Sequence, residues 1–217
     1  MFIVGIDLSG PANHKDTAVA VFQSDEHSLH LDQLLTSASD DDILTLITHL
    51  SERNRVHVGI DAPLSYQDGG GDRPLDKRLR QFTKELGMKP GSIMPPTLTK
   101  MIYLTARGMK IASMLTRIPN VEVIEVHPGA SLAARVPQDK AKKHIVQYKN
   151  SSDSLEWIAD WMISFGLSGI RSDLLKTSHL VDACAAAIAA WDYGHPKRNS
   201  YWMYDSVPPH HPCPFSC

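Results

Sequence analysis

Short apolar runs broken by turn residues open this chain, and longer helical spacings follow them. Phe2–Leu8 is a continuous apolar run with one glycine, the pattern of a central strand covered on both faces. Asp16–Phe22 and Ser28–Leu35 predict two further strands, with Ser24, Asp25 and Glu26 as the turn between them. Ser39 is placed to cap a helix reaching about Arg53, because Ile43, Leu46, Ile47 and Leu50 recur at helical spacing. Val56–Ile60 is another short buried strand. The expected order is β-β-β-α-β, three antiparallel strands and then a crossover.

The middle of the chain changes character. Asp68–Gly71 reads as a flexible loop, Pro74 opens a helix through about Leu86, and Gly87–Pro96 is rich in glycine and proline. Leu98–Leu115 is helical in pattern, with Met101, Leu104, Ile111 and Leu115 on one side, and Val121–Val126 returns as a strand. Helices are expected near Asp139–Tyr148, Ser154–Phe165 and Ser178–Tyr193, with a late strand at Tyr201–Tyr204. Trp157, Trp161 and Phe165 share one helical face, which assigns them to the core. Residues 1–206 read as one α/β domain and 207–217, rich in proline and histidine, as an irregular tail.

The chemistry sits at strand ends. Val-Gly-Ile-Asp occurs twice, at Val4–Asp7 and Val58–Asp61, each time closing an apolar strand, and Val121–Glu125 also runs into a carboxylate. Neighbouring parallel strands lie about 4.8 Å apart, so three such acids crowd the carboxyl edge of the sheet, where open α/β sheets hold ligands. Crowded carboxylates repel one another, and a hard divalent cation with oxygen ligands, Mg²⁺ or Mn²⁺, relieves that repulsion. Asp182 opens an alanine-rich helix whose small side chains allow close packing on the sheet, so it is the fourth candidate. Each acid has a plainer role open to it: turn former, helix-dipole partner, or, for Glu125, partner of a nearby arginine.

Several segments together resemble one family. Gly5-Ile6-Asp7, Gly59 through Leu64, Arg73 through Arg80, Glu125-Val126-His127-Pro128 and Asp182-Ala183 are similar to domain of unknown function 429, whose members are predicted nucleases of the ribonuclease H-like superfamily. The resemblance runs to about Tyr193. It implies a mixed five-stranded sheet of order 3-2-1-4-5 flanked by helices, with a helical insertion between the fourth and fifth strands. It also implies a nuclease that hydrolyses RNA or DNA by a two-metal mechanism, with Asp7, Asp61, Glu125 and Asp182 as both ligands and catalytic groups. Two alternatives stand beside it. One is a non-catalytic nucleic-acid or nucleotide-binding module with the same fold. The other is an actin- or sugar-kinase-like phosphotransferase, disfavoured because it needs a duplicated domain that 217 residues leave no room for.

Charge distribution sharpens the partner. Asp72–Arg117 holds ten Lys or Arg and three Asp or Glu, a local +7 in a chain of net -2. A basic lobe beside an acidic site suits a phosphate backbone, although such runs also serve as solvated helix faces. Arg73 and Arg80 are the candidate phosphate contacts, with Asp76 as an orienting partner, and Ser9 stands just beyond Asp7. His127 and His179 are candidates for proton transfer or for structural hydrogen bonding. Gly69-Gly70-Gly71 lacks the Lys-Ser/Thr ending of a Walker loop. His210, His211, Cys213 and Cys217 match no standard zinc spacing. The opening residues lack the basic leader of a signal peptide, and no apolar run is long enough to cross a bilayer. With three cysteines and no CxxC, the expected setting is the reducing cytoplasm.

Overall fold

The computed structural model describes residues 1–88 and 90–217, with the side chains of residues 90, 141, 142 and 172 also left aside. Its strands are β1 (Phe2–Asp7), β2 (Ala18–Ser24), β3 (Leu29–Thr36), β4 (Val56–Asp61), β5 (Val121–Glu125), β6 (Leu167–Ser168), β7 (Met203–Tyr204) and β8 (Phe215–Ser216). The helices are α1 (Asp40–Ser51), α2 (Pro74–Glu85), α3 (Ile102–Leu115), α4 (Pro128–Arg135), α5 (Gln138–His144), α6 (Ser152–Phe165) and α7 (Ser178–Gly194).

One sheet runs β6-β3-β2-β1-β4-β5-β8-β7. Among the described residues the sheet therefore has eight strands where five were expected. The order 3-2-1-4-5 forms its middle; β7 is the second half of the late strand expected at Tyr201–Tyr204, while β6 and β8 have two residues each, too few for a period-two pattern to register. β1 pairs antiparallel with β2 and β2 with β3, while β4 and β5 run parallel to β1. The stretch from Val207 carries more order than its composition suggests. Phe215 pairs with Glu125 on β5 and packs beneath Leu75 and Leu79 of α2, so the chain end supports the insertion.

Local rules explain the helix starts. Ser39 Oγ accepts from the Asp42 N–H at 3.1 Å while the Asp42 carboxylate accepts from the Ser39 N–H at 2.9 Å, a reciprocal cap that fixes α1. Pro74 at the first position and the Asp76 carboxylate, accepting from the Arg73 N–H at 2.8 Å, fix α2. The short helix α4 did not register in the sequence pattern. Its cap is His127, whose Nδ1 accepts from the Ala130 N–H at 3.1 Å, and imidazole is not among the usual capping side chains.

The core lies on both faces of the sheet. Val4, Ile6, Val58 and Ile60 pack against α1 and α3, while Ile3 and Phe22 join the helices of the other face. Gly5 and Gly59 lie on that second face, directly under α7. A Cβ on Gly5 would collide with the Ala183 carbonyl oxygen, and one on Gly59 with that of Ala186. Both faces of β1 are thus covered, as its unbroken apolar run requires. Trp157, Trp161 and Phe165 are half-buried against the same core. Among the described residues, no helix is long and apolar enough to cross a membrane, and Cys184, Cys213 and Cys217 are free thiols, all buried.

Candidate metal centre

The repeated tetrapeptide now has a physical account. β1 and β4 pair parallel with Gly5 opposite Gly59 and Asp7 opposite Asp61. Side chains two residues apart share a face, so each aspartate leaves the sheet on the side where its glycine admits α7. Asp182, in the second turn of α7, stands just ahead of Ala183, which rests on Gly5. Among the described residues, Asp7, Asp61 and Asp182 form the group able to hold a metal ion, with one carboxylate oxygen of each within 4.8 Å of the others.

The electrostatics are those of a site short of positive charge. Burial, then the charges of Asp7 and Asp182, push the Asp61 carboxyl well above the usual carboxylate range, and it shares a hydrogen bond with Asp7. Burial and Asp7 push Asp182 up to about 6, against the opposing pull of Lys149 and Tyr148. The His179 Nδ1–H donates to Asp7 at 2.6 Å, and that bond raises the imidazole's basicity. Asp182 receives the Tyr148 hydroxyl on one oxygen and the Lys149 ammonium, at 2.7 Å, on the other. Tyr148 is buried, whereas the Lys149 side chain is 56 % exposed and borders the cleft beside Asp61. Neither residue was expected from the sequence. Both follow α5 in a turn, outside any motif.

Glu125, expected as a fourth ligand, is directed elsewhere. Its oxygens accept from the two terminal nitrogens of Arg73 at 2.6 and 2.8 Å, and one also accepts from the Leu64 N–H at 2.9 Å. Arg73, expected to meet substrate, is 5 % exposed and also grips Asp76, with Nη2 to Oδ1 at 2.8 Å and Nε to Oδ2 at 3.0 Å. Two acids around one guanidinium form a buried brace between β5 and the start of α2. Arg80 pairs bidentately with Asp72 at 2.9 and 2.8 Å. The Ser9 hydroxyl donates to the Asn13 carbonyl at 2.6 Å, and the Ser9 carbonyl accepts from the buried Arg107 at 2.8 Å. His127 has both ring nitrogens engaged. Since Nδ1 accepts, the proton sits on Nε2 and points to the Ser92 carbonyl at 3.3 Å, and burial lowers the imidazole pKa to about 4.

The basic insertion is partly neutralised. Arg73, Arg80, Arg107 and Lys110 have carboxylate partners, while Lys77, Arg78, Lys84, Lys100 and Arg117 are exposed. Arg78 lies over the Tyr204 ring, with its guanidinium carbon 5.4 Å from the centroid.

Neither a curated protein nor a solved structure matches the chain. A family model described as "Protein of unknown function (DUF429)" matches residues 5–205, a span that includes Asp7, Asp61, Lys149 and Asp182, and the chain belongs to that family.

Proposed function

We propose that this protein is a divalent-metal-dependent phosphodiesterase acting on nucleic acid. The observation that carries this reading is the convergence of Asp7, Asp61 and Asp182 from two strands and a helix, with their oxygens within 4.8 Å. The fit of the ion rests on the donor set. Three hard oxygen ligands face one lysine, and a carboxyl held far from its ordinary ionisation marks a site that a cation relieves. The middle order 3-2-1-4-5, with its antiparallel start and parallel finish, supports a ribonuclease H-like assignment of the core.

When bound, Mg²⁺ or Mn²⁺ supplies Lewis acidity to a phosphoryl oxygen and to the attacking water. The chain's own groups do the rest. Asp7, Asp61 and Asp182 are the ligands. His179 orients Asp7, and Tyr148 orients Asp182. Lys149, a compact charge on a flexible stem, is positioned to leave Asp182 and meet a phosphate oxygen. The Glu125–Arg73–Asp76 brace holds the end of β5 against α2, and the exposed lysines and arginines of the insertion attract the backbone.

The test is a panel of labelled single- and double-stranded DNA and RNA incubated with Mg²⁺ or Mn²⁺. Metal-dependent cleavage that disappears in Asp7→Asn and Asp61→Asn is the expected result, with Lys149→Met losing turnover while keeping its metal response. Cleavage that survives chelation, or either Asn variant cleaving as wild type does, overturns the assignment. Metal-dependent binding without turnover establishes the binding-module alternative instead.

A further inference from the structure

The cleft beside Asp61 has two lobes that meet at Ser92, His127 and Lys149. One, of about 210 Å³, is bordered by the Arg73–Glu125 brace. The other, of about 330 Å³, is walled by Met88, Pro128, Gly129, Ile145 and Val146. Beside these apolar residues the second lobe is lined by the polar Ser92, His127, Tyr148 and Asn150 and by the charged Asp61 and Lys149. The Ser92 Oγ is buried and has no hydrogen-bond partner among the described residues.

We propose that the larger lobe seats a single unpaired nucleobase, free or at a strand end, with its phosphate lying between Lys149 and the aspartate cluster. The volume is at the low end of small-molecule pockets, enough for one heterocycle and its sugar and too small for a base pair. Exposed Asn150 is among the residues that line the lobe, so the polar edge of a base has an amide to meet there where a hydrocarbon has no use for one. The Met88 thioether is polarizable and adapts to a flat ring. Gly129 keeps the wall thin, since a Cβ there would come within 3.0 Å of the Met88 methyl and 3.2 Å of His127. A base pair inside a duplex presents only its edges and backbone, so a base must leave the stack to enter. Duplex interiors are thereby excluded and frayed or single-stranded ends selected.

The placement of the phosphate rests on the phosphodiesterase reading, but seating of the base does not, and the experiment separates them. Methyl-labelled methionine spectra, with Met88 assigned through Met88→Leu, are recorded without metal during titration with adenosine, cytidine, their 5′-mononucleotides and ribose 5-phosphate. The Met88 resonance is expected to move with both nucleosides and stay still with the sugar phosphate. Val146→Trp, which fills the lobe, is expected to weaken nucleoside binding about tenfold or more. A single-stranded oligonucleotide should move the same resonance where a blunt duplex does not. Affinity greater for the mononucleotide than for the oligonucleotide assigns the free nucleotide, and the reverse assigns a strand end; either supports the lobe. A Met88 resonance silent to nucleosides up to their solubility, or equally responsive to ribose 5-phosphate, overturns the proposal. So does unchanged binding in folded Val146→Trp, and if that variant does not fold the ligand series decides alone. A moving Met88 in a protein without any metal response would sink the phosphodiesterase reading and leave the base site standing.

Discussion

Replacing Arg73 and Glu125 separately distinguishes a brace from a metal ligand. Arg73→Met keeps the aliphatic stem but leaves two carboxylates, Glu125 and Asp76, each 2 % exposed, without the guanidinium they share. Breaking a buried ion pair costs about 3–5 kcal/mol, and two stranded acids place this case at the upper end. Glu125→Gln preserves shape and leaves Arg73 held by Asp76 and by Ser65 Oγ at 3.1 Å. It removes one charge-assisted pair, a loss of about 1.5–3 kcal/mol. At about 2–4 °C per kcal/mol for a chain of this size, the melting temperature falls by roughly 10–20 °C for Arg73→Met and 3–12 °C for Glu125→Gln. The assay is urea and thermal unfolding followed by far-UV circular dichroism at neutral pH, with and without Mn²⁺. Because the Glu125 oxygens are turned to Arg73, folded Glu125→Gln should keep the Mn²⁺ stabilisation of wild type. If it stays folded and loses the Mn²⁺ response, Glu125 is a ligand and the brace is secondary.

Other perturbations probe the remaining parts. Asp61→Asn mimics the protonated carboxyl that hydrogen-bonds Asp7, so the metal-free variant should melt at or above wild type. A carboxyl whose pKa is raised on folding favours the folded state at low pH and weighs against it as pH rises past its unfolded value. The variant's advantage should therefore grow from about pH 4 toward neutrality, and an advantage that shrinks refutes the electrostatic account. Wild type should gain about 1.4 kcal/mol in ~10 mM Mg²⁺ for a dissociation constant near 1 mM, and Asp61→Asn should lose most of it, as differential scanning calorimetry would show. Gly59→Ala should cost about 1–3 kcal/mol or more in urea unfolding, because its Cβ meets α7 backbone, whereas Gly10→Ala, with nothing within 4 Å, should be neutral or slightly stabilising. In nucleic-acid binding, replacing exposed Lys77 and Arg78 by Ala should each flatten the log-log salt slope by about 0.7–0.9, while Arg80→Ala, already paired with Asp72, should leave it unchanged.

Asp7 and Asp61 were legible in the sequence for a specific reason. Two identical tetrapeptides in adjacent parallel strands fall in register, so the repetition reports both the pairing and the shared face. Asp182 was legible through the alanines after it, which only a close helix–sheet contact demands. The position of Glu125 could be read at its strand end, but its partner could not, because Arg73 is 52 residues away and only the folded insertion brings it near. Tyr148 and Lys149 left no signal, since they stand in a turn whose position depends on how α5 and α6 pack. Arg73 was readable as important but not as buried, because a positively charged segment looks the same whether its charges face acids or solvent.

The contact between α7 and the two glycines limits how the protein can vary. The atoms that a Cβ at Gly5 or Gly59 would strike are main-chain oxygens of Ala183 and Ala186, which every residue carries. A clash between side chains can be relieved by trimming the other partner, but here the helix side is already alanine and trimming further touches nothing that collides. Second-site suppressors of Gly5→Ala or Gly59→Ala therefore have no local solution. A selection for restored folding should return true revertants, or distant changes that raise stability everywhere, and no compensating substitution on the facing helix.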